Sequence, residues 1–256
     1  MDAIVAANGH DLDGDPTTSD TDGSVPALLS ALNVWLITRR GDTERHVLSN
    51  CSLTVRPDEI VSIEGRPQSG RPEFMAILAG FETPTRGTVL FEDGPLINPM
   101  GGVEATRRRR QIGHLFAAGM LLPGLSATEN VRAVLEGLHQ PDQTGETLER
   151  EAIEALRRAG FDGDPDVPVS TLGRPMRIRV GLATSLVKKP KILLCDAPAD
   201  GLSKDDAAAL FDQFDALRRD KGLAIVHATV DTGHAARADR QFLLEHGRLR
   251  RAEHQS

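Results

Sequence analysis

The stretch "IVSIEGRPQSGRPEFMAILAG", residues 60–80, constrains the fold more than any other. An apolar run of strand length ends at Glu64, and two glycines, Gly65 and Gly70, bracket a four-residue gap before a run of helical period begins at Pro72. A strand that turns through glycines into a helix needs a sheet with helices packed on it. The rest of the chain agrees. From Ala31 onward the strand-like runs "LNVWLI", "SLTV" and "TVLFED" flank this unit. Between Ala118 and Lys188 the pattern becomes helical, with "SATENVRAVLEGLH" and "ETLEREAIEALRRAG" placing apolar residues three and four apart. Strand and helix then return in "KILLCDAP", "KDDAAALFDQFDALRRDKG", "LAIVHATV" and "QFLLEHGRLRR", whose central His-Gly suits a hairpin turn. The pattern predicts an α/β domain with an antiparallel β edge and a helical subdomain at about 118–188.

Composition narrows the class. A chain of 256 residues can bury a sizeable core, as one large domain or a domain with a subdomain. A net charge of -7 gives no overall basic field, so nucleic acid and anionic lipid are not expected partners. The four arginines Arg107 to Arg110 lack interleaved aromatics and read as a solvated face. No apolar run reaches the roughly 18 residues of a spanning helix, and no signal-peptide pattern opens the chain, so the expected location is the cytoplasm. Cys51 and Cys195 fit buried, reduced residues better than a disulfide. Residues 1–27 read as an acidic disordered tail: the first 26 carry six aspartates and no lysine or arginine. Its "DLDGDP" imitates the start of a calcium loop, but Pro16 stands where the sharp turn requires glycine. No metal site is expected.

The loop from Gly65 to Pro72 follows the spacing of a phosphate-binding loop, G-x-x-x-x-G-K-S/T, in the correct strand-to-helix context. Three later segments follow in order: "RRRRQIGHLFAAGMLLPGLSATENV", "VSTLGRPMRIRVGLATSLVKKPKILLCDAPADGLS" and "VHATVDTGHAARADR". Together these resemble the consecutive landmarks of an ABC transporter ATP-binding subunit, most similar to the lipoprotein-release and macrolide-export type, over residues 31 to 250. The resemblance implies a P-loop NTPase fold of ABC type over residues 28–256, with a mainly parallel core sheet, an antiparallel β edge and a helical subdomain. It also implies two subunits that close on ATP and Mg²⁺, each nucleotide held by the P-loop of one and the signature motif of the other, and a membrane permease driven by that closure.

At nearly every position that would touch nucleotide, this sequence departs from the family pattern. The P-loop reads Gly65, Gln68, Ser69, Gly70, Arg71, Pro72 and Glu73. Arg71 replaces the lysine on the β- and γ-phosphates, keeping charge but not shape. Pro72 replaces the magnesium-binding hydroxyl residue and has no backbone N–H. Glu73 sets a carboxylate where the helix N-terminus would attract phosphate, and Gln68 adds a side chain where glycine is usual. Pro72 at the first helical position and Glu73 in the first turn nevertheless start a helix well, and Glu73 is expected to replace the phosphate in stabilising the loop.

The glutamine that senses magnesium is Ala117 here. The signature Leu-Ser-Gly-Gly-Gln becomes Leu172, Gly173, Arg174, Pro175 and Met176, with Arg174 read as a solvated surface residue. Asp196, which in the family supports magnesium, is retained. The catalytic glutamate after it is Ala197, which cannot accept a proton. The switch histidine is Val230, and the D-loop aspartate is Ser203. His227 lies three residues before Val230 on the same strand, so it faces the other way and is expected to have a structural partner.

The losses fall on nucleotide contacts while apolar runs and turns are kept. The expectation is a structural or regulatory ATP-binding-cassette subunit that has lost ATP hydrolysis and ATP binding. It would sit on the inner face of the membrane with permease subunits and a second ATPase subunit, the same chain or another. Two other readings stay open: a weakly active ATPase using Arg71 and Asp196, and a soluble interaction protein on the same fold.

Overall fold

The computed structural model describes residues 25–41, 43–96, 103–116, 121–138 and 144–252. The acidic segment 1–24 and Ala117 lie outside them.

Two sheets organise the chain. The first is antiparallel: β1 (Leu29–Arg40), β2 (Thr43–Val55), β4 (Arg86–Phe91) and β5 (Gly94–Pro95) lie in the order β2-β1-β4-β5. The antiparallel strands therefore form a sheet of their own rather than a simple edge. β1 pairs with both β2 and β4, and register shifts between Ala31 and Ile37 bend it. The second sheet holds β3 (Ile60–Glu64), β6 (Ile112–Phe116), β7 (Ile192–Asp196), β8 (Ala224–Thr229), β9 (Arg240–Glu245) and β10 (Arg248–Arg251) in the order β10-β9-β3-β8-β7-β6. All its pairings are parallel except β9 with β10. β7 and β8 bury nearly every residue because helices cover both faces of a parallel sheet.

Helix α1 (Arg71–Leu78) follows β3, α2 (Val103–Arg110) precedes β6, and α6 (Lys204–Lys221) links β7 to β8. A short helix α7 (Thr232–Ala235) follows β8. Between β6 and β7 come α3 (Ala127–Gly137), α4 (Gly145–Arg158) and α5 (Arg174–Leu186), which share one apolar cluster. The start of α3 is legible in "SATEN". Ser126 and Glu129 form a reciprocal capping box, and Asn130 fixes the preceding loop by accepting from Leu122 N and donating to the Leu122, Leu125 and Ser126 carbonyls. Among the described residues, no helix is long and apolar enough to cross a membrane.

The predicted His-Gly turn is present. His246 (φ 49°) and Gly247 (φ 73°) both take the left-handed conformation of a tight two-residue hairpin between β9 and β10. Gly247 also joins the sheets. Its carbonyl accepts from Ser49 N at 2.7 Å and the Cys51 thiol at 3.1 Å, and its N–H donates to the Ser69 carbonyl at 3.1 Å. Both cysteines are free and buried, and burial raises the Cys51 thiol to about 11.

The arginine run is not a uniformly solvated face. Arg109 is half-buried and donates to the Leu96 carbonyl, and Arg108 is half-buried against Gly94, where a Cβ would lie 2.3 Å from the guanidinium. The helix needs these long side chains to cover the β4–β5 turn, so α2 spends half of its charge on packing.

Candidate functional site

The loop between β3 and α1 is held at both ends by geometry that needs no ligand. The N–H of Gly65 donates to the Thr229 carbonyl at 3.0 Å, extending the β3–β8 ladder by one residue. A Cβ at Gly65 would lie 2.6 Å from Ser69 Oγ. Gly70 has φ 93°, and a Cβ there would lie 2.7 Å from the Val47 carbonyl. Both glycines are thus required by the packing of the loop against β2 and against itself.

Between them, Gln68 takes φ 69° and Ser69 N donates back to the Arg66 carbonyl at 3.1 Å. Ser69 is buried, and its hydroxyl has no hydrogen-bond partner among the described residues. Helix α1 begins with Gly70 as N-cap, followed by Arg71, Pro72 and Glu73. Pro72 is therefore the second helical residue, not the first. The substitution is tolerated because the N–H groups of the whole first turn lack intrahelical acceptors, so proline sacrifices no bond. Glu73 lies in the first turn, on the favourable side of the helix dipole.

Arg71 points back across the loop. Its Nη1 donates to the Gly65 carbonyl at 3.1 Å, and its Nε lies 3.6 Å from Asp196 Oδ1 at the end of β7. At that distance the ion pair is too long to count as a hydrogen bond, and both atoms are otherwise buried without one. Burial pushes the Asp196 carboxyl up, the Arg71 guanidinium draws it down, and Asp200 and Glu73 push it up again. A cation of the chain itself therefore spans the loop to Asp196, whose carboxyl is also repelled by Asp200 and Glu73.

Ala197 follows at φ 51°, a left-handed conformation that alanine adopts at a cost, and its N–H donates to the Ala228 carbonyl at 3.0 Å. The turn that would present a side chain after Asp196 is kept, and the side chain is a methyl group. Val230 stands at the end of β8, 46% exposed. Asp231 beside it caps α7, accepting from His234 N at 2.9 Å, and that bond holds its carboxyl low.

His227 faces the interior, as the strand period predicts. The expected structural partner is not a hydrogen bond: neither ring nitrogen has one, and the imidazole packs edge-on against Phe211 of α6, 5.1 Å between centroids. Burial, reinforced by His234, lowers its pKa to about 3, so the ring is neutral and serves as an aromatic filler.

The signature segment starts α5. Gly173 is the N-cap without a side-chain bond, and Arg174, Pro175 and Met176 form the first turn. Arg174 is not a solvated surface residue. It is half-buried against the turn after β7, with its Nε 3.6 Å from where a Cβ of Gly201 would lie and without a hydrogen-bond partner. Leu172 packs on the α3–α5 cluster. Ser203, at the D-loop position, caps α6 by accepting from Asp206 N at 3.1 Å. The contacts from Arg71 to Asp196 and from Arg174 to Gly201 were not legible in the sequence, because each joins segments whose approach depends on the finished sheet.

A family model described as ABC transporter matches residues 48–200. The lipoprotein-releasing system ATP-binding protein LolD of Psychrobacter arcticus is 32% identical over 222 residues, covering 86% of this chain and 97% of the relative. Two solved structures of the cassette MJ0796 align with a TM-score of 0.81 at 26% identity, covering 89% of this chain and 99% of theirs. One is a dimeric post-hydrolysis state bound to ADP and Pi, the other a dimeric bacterial ABC transporter cassette. The fold is also that of cbiO1 from Clostridium perfringens, at TM-score 0.75 and 22% identity over 88% of this chain and 87% of that one.

Proposed function

Because the chain belongs to the ABC transporter ATP-binding family, we propose that it works as a cassette subunit that supports a membrane permease without hydrolysing ATP. The observation that carries this reading is Arg71, whose guanidinium spans the loop to the Gly65 carbonyl and Asp196. A nucleotide phosphate would have to displace that contact. It would meet Glu73 and Gln68, and Pro72 offers no hydroxyl to a bound magnesium ion. The residues present do not fit Mg-ATP. Ala197 and Val230 supply neither a proton acceptor nor a polar group for an attacking water.

In this role the chain sits on the cytoplasmic face of a permease and pairs with a second cassette, either a copy of itself or another chain. The dimeric state of the MJ0796 relative supports the pairing, and the similarity to LolD supports the lipoprotein-release type of transporter. In any pairing where a P-loop meets a signature, both composite sites would contain one altered half from this chain.

Calorimetric titration of the purified chain with Mg-ATP tests the reading. The expected result is no saturable heat at millimolar nucleotide. Micromolar binding with turnover would replace it with the weakly active ATPase. Restoring Arg71→Lys and Pro72→Ser together is expected to recover binding but not hydrolysis, because the positions of Ala197 and Val230 stay inert. Co-isolation of a permease from detergent-solubilised membranes tests the transporter role, and failure there would favour a soluble interaction protein.

A further inference from the structure

At the opposite end of the parallel strands from the loop, a cleft of about 580 Å³ opens where α5 leads into β7 and α6 leads into β8. Its floor is aliphatic. Leu186, Leu217 and Leu223 belong to the apolar cluster of the helical side and Leu28 to that of the antiparallel sheet, and all four are buried, so the cleft lies on the seam between the two. Among the described lining residues there is no aromatic ring, hydroxyl or amide side chain. Such a wall offers nothing to a nucleobase or a sugar and much to an aliphatic chain.

The polar groups of the cleft are charged. Lys191 is paired with Glu92, the one carboxylate among the described lining residues, which leaves Arg158 and Lys189. Arg158 is half-buried at the end of α4, and its side chain has no ion pair or hydrogen bond among the described residues. Glu154, one turn earlier, binds Arg157 through both carboxylate oxygens, at 2.9 and 2.7 Å. Lys189, likewise unpaired among the described residues, has φ 51°, a left-handed conformation that a Cβ makes costly, and it precedes a proline that favours extended backbone. The turn itself therefore gives no reason for lysine at this position. A half-buried guanidinium and an ammonium above an apolar floor form a site that lacks an anion.

Charge alone does not single out this cleft, because Arg109, Arg110 and Lys188 line the one at Phe81 and Leu122. The wall separates the two: the Phe81 cleft mixes aromatic rings with Thr106, Asn130 and Ser185, which suit a polar partner. An adjoining cleft shares Arg158 and Lys189 but also carries Glu151 and Glu154, so an anion is favoured on the leucine side.

We propose that this cleft binds a soluble anionic amphiphile, its phosphate or carboxylate head on Arg158 and Lys189 and its aliphatic tail on the leucine floor. The net charge of -7 opposes adsorption to an anionic bilayer, so the ligand is the free monomer rather than a lipid surface.

Calorimetric titration of the full chain with decyl phosphate, below its micelle concentration, tests the proposal. The expected result is one site per chain. Octyl phosphate should bind about fifteenfold more weakly, since each buried methylene contributes about fourfold. Inorganic phosphate and uncharged decyl maltoside should each bind at least roughly tenfold more weakly than decyl phosphate. Arg158→Gln should weaken decyl phosphate roughly tenfold, as should Lys189→Gly, which also suits the left-handed backbone and so keeps the fold. Lys188→Gln, in the Phe81 cleft, should change nothing. Absence of saturation would overturn the proposal, as would inorganic phosphate binding equally well, which means an adventitious ion only. Equal binding of decyl maltoside, indifference to Arg158→Gln and Lys189→Gly, or loss in Lys188→Gln would also overturn it. Binding to phosphatidylglycerol vesicles without binding of the monomer would replace it with a membrane surface. No nucleotide or permease enters the experiment, so its failure is distinct from failure of the cassette reading.

Discussion

At the scale of single residues, the site is governed by one arginine. Arg71 neutralises Asp196 where the protein interior leaves both side chains mostly buried, 11% and 22% exposed. Arg71→Met is expected to destabilise the fold by about 1–3 kcal/mol, because it strands a carboxylate beside Asp200 and Glu73. Adding Asp196→Asn should recover part of that loss, and urea unfolding of the two singles and the double measures the coupling. Additive effects would show that the pair contributes nothing. Ala197 gives the opposite sign. Glycine tolerates φ 51° without the Cβ penalty, so Ala197→Gly should raise stability by about 1 kcal/mol, seen as a higher urea midpoint with unchanged slope.

At the scale of elements, the loop is a structural turn between β3 and α1, fastened by the β9–β10 hairpin. Gly247 links β2, the loop and the hairpin through three bonds, and a Cβ there would meet the Val47 carbonyl at 2.4 Å. Gly247→Ala should therefore cost more than about 2 kcal/mol, lowering the melting temperature by roughly 4 °C or more. A silent substitution would mean that the hairpin and loop are not coupled. The elements themselves were legible in advance. The alternation of strand and helix, the capping box at Ser126 and the His246-Gly247 turn all follow from local chemistry, and the structure contains each. Two local readings failed for one shared reason. Arg108 and Arg174 looked like surface charges because arginine usually is, but each lays its guanidinium over a glycine of a neighbouring turn.

At the scale of the molecule, burial of neutral imidazoles sets the acid response. His227 is lowered to about 3 and His114 to about 4, both chiefly by burial, from an ordinary 6.5. The unfolded chain takes up these protons below about pH 6.5 and the folded chain does not. Each group therefore removes about 1.4 kcal/mol of stability per pH unit as pH falls from there toward its folded value. The raised Asp196 acts with the opposite sign, since protonation there is easier in the folded chain. Stability is thus expected to fall between pH 6.5 and 4.5, and His227→Phe should flatten that slope by about 1.4 kcal/mol per pH unit. Denaturant titrations at several pH values check it, and an unchanged slope would mean that His227 is hydrated in the fold.

The sequence alone determined the family, the order of strands and helices, and the residue types at each expected nucleotide-contact position, because composition, period and motif spacing are local properties. Only the tertiary structure decided what those side chains touch. The two loop glycines answer to β2 and Ser69, Arg71 reaches Asp196 across 125 residues of chain, and Arg174 lies on the turn after β7. None of these contacts exists until the parallel sheet brings the ends of β3 and β7 together, since a side chain's partner is set by which strands become neighbours, not by its distance along the chain.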